Sequence, residues 1–534
     1  MRKGMLGSIA ALAAGAGSAW AQAPLPVAPA GGPPASAVRT LAANEPVGVT
    51  TISGLDGGGG PSPVIMPPIS AGPPGDPHGL GPVGGFGPPP GPMYPMPGPY
   101  TQPLWQPAGP GGPGGAGGGG AMGGAPKFWM NSEYLLWFPA SMPLRYPLVT
   151  TSAPSDRGLL GRPSTLVLVG QNDLSYDATS GARFTMGFFG DADRRFGAEL
   201  SGFFMAEKHN ESFFLSSPTG IPTLARPFID SADPRGSTTL VIANPNFAQG
   251  SIAVDASTTT YSVEGSAVIN LFRSAPGGGA GGDDCGPGGR IFGSGFQCSL
   301  DFLMGYRFLE LAENLTIESR SNLNIPPTIT PQFVVGPNGT LTQVGSIITP
   351  IPVPFGGVNI TSPSLVTVRD QFRTTNRFNG GQVGLRAEVR RGMFTLATTG
   401  KLGIGHMHQV VELHGNSAFV GGADGRNGGA FGGLYNNAAN IGKYNNDEFV
   451  VMPEFTGNLG VQVTRAVNCY VGYNFLYMNK VVRPGSQLNP VVNSATVPFS
   501  TNYGALGRPS VPLRIFDQDD FWLMGINFGL QIRF

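Results

Sequence analysis

Charge is scarce in this 534-residue chain: Asp, Glu, Lys and Arg make up only 12% of it, against the usual share of about 25%. The 32 basic and 32 acidic residues cancel, so there is no excess of either sign to draw in nucleic acid or an acidic partner. Three cysteines are too few for a disulfide framework. No run of 18 apolar residues follows the first 21 positions, which excludes a membrane-spanning helix. What is plentiful is glycine (84) and proline (52). Together they form about a quarter of the chain, near the threshold for low-complexity character.

The N-terminus reads as an export signal. Arg2 and Lys3 precede an apolar, alanine-rich stretch from Met5 to Ala16, and Ala19-Trp20-Ala21 has the small-x-small pattern of a cleavage site. Residues 1–21 are therefore expected to be a signal peptide. No cysteine follows the cleavage point to carry a lipid anchor. Residues 22–126 form a Pro/Gly tract that cannot bury enough apolar area to offset its ordering entropy. It is expected to be a disordered periplasmic linker, either passive or in contact with the cell wall.

From Lys127 onward the pattern changes to period-two alternation, the signature of strands with one apolar and one polar face. Ten segments show it: 128–138, 180–189, 196–206, 259–272, 296–308, 382–389, 394–404, 454–463, 467–477 and 522–534. The last is the clearest. Trp522, Met524, Ile526, Phe528, Leu530, Ile532 and Phe534 alternate with small or polar residues. It exceeds the roughly 9–11 residues that a tilted transmembrane strand needs. A long strand in a soluble sandwich shows the same alternation, so connection lengths have to decide. Short turns (190–195, 391–392, 465–466) and the Gly-rich 274–295 alternate with five long connections, 139–179, 208–258, 309–374, 405–447 and 480–520. Short turns at one end and long loops at the other are the layout of an outer-membrane barrel. The expected fold is thus all-β: a transmembrane antiparallel up-and-down barrel over residues 127–534, with about ten strands (alternatively 12) and long extracellular loops.

The polar face carries Arg183, Glu199, Glu264, Asp301, Arg307, Arg386, Glu388, Lys401, Glu454 and Arg533. A lipid-facing Arg or Lys at the bilayer midplane costs about 2–4 kcal/mol, so these ten are expected to face the lumen. They mix both signs, which favours internal ion pairs over an open selective channel. Trp129, Trp137, Trp522, Tyr134, Tyr306 and Tyr477 lie near strand ends and are expected in aromatic girdles.

Two resemblances extend this reading. Met524, Ile526, Phe528, Leu530, Ile532 and the terminal Phe534 resemble the C-terminal recognition strand of bacterial outer-membrane barrels, which implies the barrel assembly machinery as a partner beside the lipid bilayer. The blocks EYLLWF (133–138), PLVTTS (147–152), SGARFTMGFF (180–189) and DFWLMGINFGLQIRF (520–534) resemble the β-barrel porin family of planctomycete outer membranes. That resemblance implies an outer-membrane location and a porin or narrow channel for small solutes. It carries over no catalytic or binding residue. The alternatives are a non-conducting structural or surface-contact barrel and, behind it, an outer-membrane hydrolase.

Little else points to chemistry. His406 and His408 share a strand face and His414 follows, but no nearby carboxylate or cysteine in the sequence completes a ligand set, so they read as loop residues. Asp517, Asp519 and Asp520 lack the spacing of a calcium loop. Cys298 and Cys469 fall on the lipid face, as small hydrophobes. The sequence thus gives no catalytic, cofactor or metal residue, and no enzyme is expected.

Overall fold

The structure is a computed structural model. It describes residues 128–233, 236–274, 296–421, 425–498, 500, 502–507 and 509–534. The expected signal peptide and linker lie outside the described residues.

Ten strands close into a ring: β1 (Phe128–Pro139), β2 (Thr179–Phe189), β3 (Phe196–Met205), β4 (Ala248–Arg273), β5 (Phe296–Leu323), β6 (Ser364–Arg391), β7 (Phe394–Gly421), β8 (Gly442–Gln462), β9 (Val467–Val482) and β10 (Gln518–Arg533). Each pairs antiparallel with its neighbours in the chain, and β10 pairs with β1 over Trp129↔Arg533 to Pro139↔Leu523. The Phe534 amide donates to the Phe128 carbonyl at 2.8 Å, completing the closure. Closure removes the unpaired edge that hydrocarbon cannot satisfy. Two short strands flank the ring, Lys208–Leu215 on β4 and Asn427–Phe431 on β7.

The turns at one end are tight, and the sequence shows why. At 190–195 the Asp191 carboxylate accepts the backbone N–H groups of Arg195 and Phe196 at 2.8–2.9 Å. Between β6 and β7, Gly392 adopts φ +59°, the left-handed region that favours glycine.

The strands run further than alternation alone suggests. β5, β6 and β7 each have 28 residues, and much of what reads as long loop in the sequence is barrel wall. The reason is an inversion halfway along each strand. In β5 the outward residues are apolar up to Phe308, then become Glu310, Asn314, Thr316, Glu318 and Arg320. At the same height the inward residues change from Asp301 and Arg307 to Leu309, Leu311, Leu315 and Ile317, all buried. β4 inverts likewise, with Ile252, Val254 and Ala256 buried inside above the polar Thr258, Thr260, Ser262 and Glu264. The lower, apolar-coated part of β5 is about 40 Å of strand, which a tilt of about 40° turns into roughly 30 Å of height. That matches a hydrocarbon core.

The connections at the other end fold inward. A small sheet of Val149–Ser152, Leu166–Val169, Thr223–Asp230, Ser237–Ala243 and Val491–Val492 forms there. Its Val149, Val169, Leu224, Phe228, Ile242 and Val492 share one apolar cluster with inward side chains of β4 to β7. This sheet is a stopper seated in the upper barrel. By contrast the hairpin Thr328–Val335/Leu341–Thr349 is exposed at every residue.

Candidate functional site

The interior has three levels. The lowest, toward the tight turns, is an ion-pair lattice around a cavity of about 310 Å³. Arg307 pairs with Glu454 and, at 3.7 Å, with Glu264, and Lys401 pairs with Glu264. Arg183 reaches Glu454 at 3.4 Å, Glu133 at 3.6 Å and the Asn474 amide oxygen at 2.9 Å. Arg386 holds Glu199 at 2.6 Å, Arg533 holds Glu388 at 2.8 Å, and the Asn270 amide donates to Asp301 at 2.6 Å. The ten charged residues expected in the lumen turn inward; nine of them pair with one another across strands, and Asp301 meets the Asn270 amide.

The sequence did not single out Glu133 or the uncharged members of this lattice. Glu133 accepts from the Tyr470 hydroxyl at 2.9 Å and from the Asn527 amide at 3.2 Å. Its parity on β1 was the available signal. Asn474 and Asn527 link next to it, amide to amide, at 2.8 Å. Glycines make room for large rings on this face. A Cβ at Gly187 would sit 2.1 Å from the Trp129 ring, and one at Gly529 would sit 2.2 Å from Tyr470.

Trp129 is not in a girdle: its indole N–H points inward to Glu199 at 3.3 Å. Trp137 is 1% exposed and packs edge-on against Phe203 inside the ring. Both fall on the odd, inward parity of β1. Tyr134, Tyr306 and Trp522 do face outward, as do Met524, Ile526, Phe528, Leu530 and Phe534.

The middle level is apolar. Leu135, Trp137, Phe203, Met205, Leu309, Leu311, Phe378, Met407, Val450, Met452, Leu476, Met478, Phe521 and Leu523 form one contiguous cluster. All are 6% exposed or less, most of them 0–1%. A continuous water column would leave such side chains wet, so the lumen is closed at this height.

The top level is the stopper, fastened by two buried ion pairs. Arg483 donates to both oxygens of Glu313 at 2.7 and 2.9 Å, and also to the Ala140 and Ser141 carbonyls. Burial opposes the charge on Arg483, but Glu313 overcomes that and holds the guanidinium above its ordinary pKa. Asp370 on β6 accepts from Arg226 at 2.5 Å and from the backbone amides of Leu434, Tyr435 and Asn436. Neither Arg226 nor Arg483 stands in an alternating segment, so sequence periodicity could not find them.

Other expectations need correction. His406 and His408 lie on barrel strand β7, not in a loop. A carboxylate does stand beside them: Asp447, from β8, lies 3.4 and 2.8 Å from their ring nitrogens. Cross-strand register supplies what the local sequence lacks. His414 stands apart, 4.0 Å from Glu412. Asp517 and Asp519 pair with Arg145. Cys298 is disulfide-bonded rather than a thiol, while Cys469 is free and exposed. Cys285 lies outside the described residues.

No curated protein matches the chain. Among solved structures, the outer membrane protease OmpT from Escherichia coli matches with 10% identity over 76% of this chain and 97% of that one. Its TM-score of 0.33 is too distant to assign a role. A family model described as Putative beta barrel porin-7 (BBP7) matches residues 129–335 and 358–534, leaving out the second strand of the exposed hairpin. With most of its length covered by that model, from the first barrel strand to the last residue, the chain belongs to the Putative beta barrel porin-7 family.

Proposed function

We propose that this protein is an outer-membrane barrel closed to solutes in its resting state, and that it works through the wall it raises above the bilayer. The observation that carries this reading is the dry apolar layer across the mid-lumen, from Leu135 to Leu523. Below it, opposite charges neutralise one another instead of lining a path. Above it, the outward residues of β4 to β8 are mostly polar, over a length that lipid does not cover. In this reading the tight turns face the periplasm, and the closing strand with Phe528 and Phe534 is the part read by the barrel assembly machinery. The test is conductance of the full chain in a planar bilayer. A silent membrane is expected, and stepwise currents at modest voltage would overturn the proposal.

A second reading, a gated narrow channel, draws on one feature. The stopper consists of connecting segments rather than barrel strands, so it can be displaced without breaking the ring. An enzymatic reading has less support, because the His–Asp contacts at His209 and His408 stand on the outer wall rather than in a cleft.

A further inference from the structure

The side strand Lys208–Leu215 pairs with β4 above the apolar belt, and its register sets Glu211 directly opposite Asp255. Like charges in that position destabilise a strand pair. His209 adds an imidazole on the same face. Its Nδ1 lies 3.0 Å from Asp255 and its Nε2 lies 3.6 Å from Glu207. One ligand atom from each of His209, Glu211 and Asp255 lies within 4.8 Å of the others, the only such group among the described residues. No Lys or Arg side chain pairs with these three carboxylates among the described residues. Lys208 points the other way and pairs with Asp177 at 3.7 Å. Facing carboxylates have thus been gathered around one imidazole, on two strands that their repulsion would push apart.

We propose that His209, Glu211 and Asp255 form a surface site for a divalent cation. Mixed imidazole and carboxylate donors suit Zn²⁺ or Mn²⁺, whereas Ca²⁺ takes oxygen ligands alone. The bound ion neutralises the facing carboxylates and bolts the side strand to β4. The site has one imidazole and two carboxylates. The His406/His408/Asp447 group has the reverse balance, and its ligand atoms do not converge to the same spacing.

The test uses the full chain in detergent, stripped with a chelator and titrated calorimetrically with ZnCl₂ and, separately, MnCl₂. One site is expected for at least one ion. Its affinity should fall at least tenfold in His209→Ala and in Glu211→Gln, and stay unchanged in His406→Ala/His408→Ala. Glu211 is exposed, so its substitution keeps the test valid if another variant folds poorly. Independently, metal should slow amide exchange across 208–215 in wild type and not in His209→Ala. Three outcomes overturn the proposal: no binding of either ion, equal binding by wild type and His209→Ala, or loss only in His406→Ala/His408→Ala.

Discussion

Replacing Arg483 with Met should loosen the stopper while leaving the ring intact. Arg483 is 1% exposed, and its guanidinium satisfies both Glu313 oxygens and two backbone carbonyls. Methionine fills similar volume but leaves the 3%-exposed Glu313 carboxylate buried and alone. Stranding one member of a buried pair costs about 3–5 kcal/mol. At 1.36 kcal/mol per tenfold, the equilibrium for opening the 482–498 segment should rise by between about two and nearly four powers of ten. Amide exchange by mass spectrometry reads this directly, because the stopper opens locally while β5 and β6 stay protected. Arg483→Met/Glu313→Gln removes the stranded charge and should recover part of the loss. If Arg483→Met exchanges within threefold of wild type across 482–498, the clasp carries no weight and the reasoning fails. If exchange rises and the bilayer also begins to conduct, the gated reading gains over the closed one.

Other expectations follow from the same geometry. Arg307→Ala deprives Glu454 and Glu264 of their shared partner and should cost about 3–5 kcal/mol, read as a lower midpoint in denaturant from lipid vesicles; a change under 1 kcal/mol would contradict the lattice. Phe528→Arg places a cation on the lipid face near the midplane and should cost about 2–4 kcal/mol, whereas Asn527→Ser, inside the ring, should not perturb insertion. Backbone amides, Phe196 first, hold the Asp191 carboxyl below its usual range. That stabilisation is present above the unfolded-state pKa and is lost as pH falls through the lower folded value. Asp191→Asn should therefore flatten the acid limb of the stability curve, and an unchanged limb would show that the turn contributes nothing.

The lower barrel was legible because lipid outside and charge inside impose strict alternation. Ten strand positions, their order and the inward set from Arg183 to Arg533 all follow from it. The upper barrel was not legible, for a reason visible in β5. At Phe308–Leu309 the apolar parity swaps, so a continuous strand reads as one that stops. Trp129 and Trp137 misled because aromatic residues near strand ends suit girdles, although their odd parity placed them inside. The clasps Arg483–Glu313 and Arg226–Asp370 join residues 170 and 144 positions apart, beyond the reach of any local pattern.

The parity swap also acts as a waterline. Were the barrel to sink by one turn of the pleat, Glu310 and Arg377, paired at 2.6 Å on the outer wall, would enter hydrocarbon. Were it to rise, Tyr306, Phe308 and their neighbours would stand in water. Either drift is opposed on several staves at once, by about 2–4 kcal/mol for each charge carried to the midplane and less near the surface. The molecule therefore floats at one draught, set by covalent sequence.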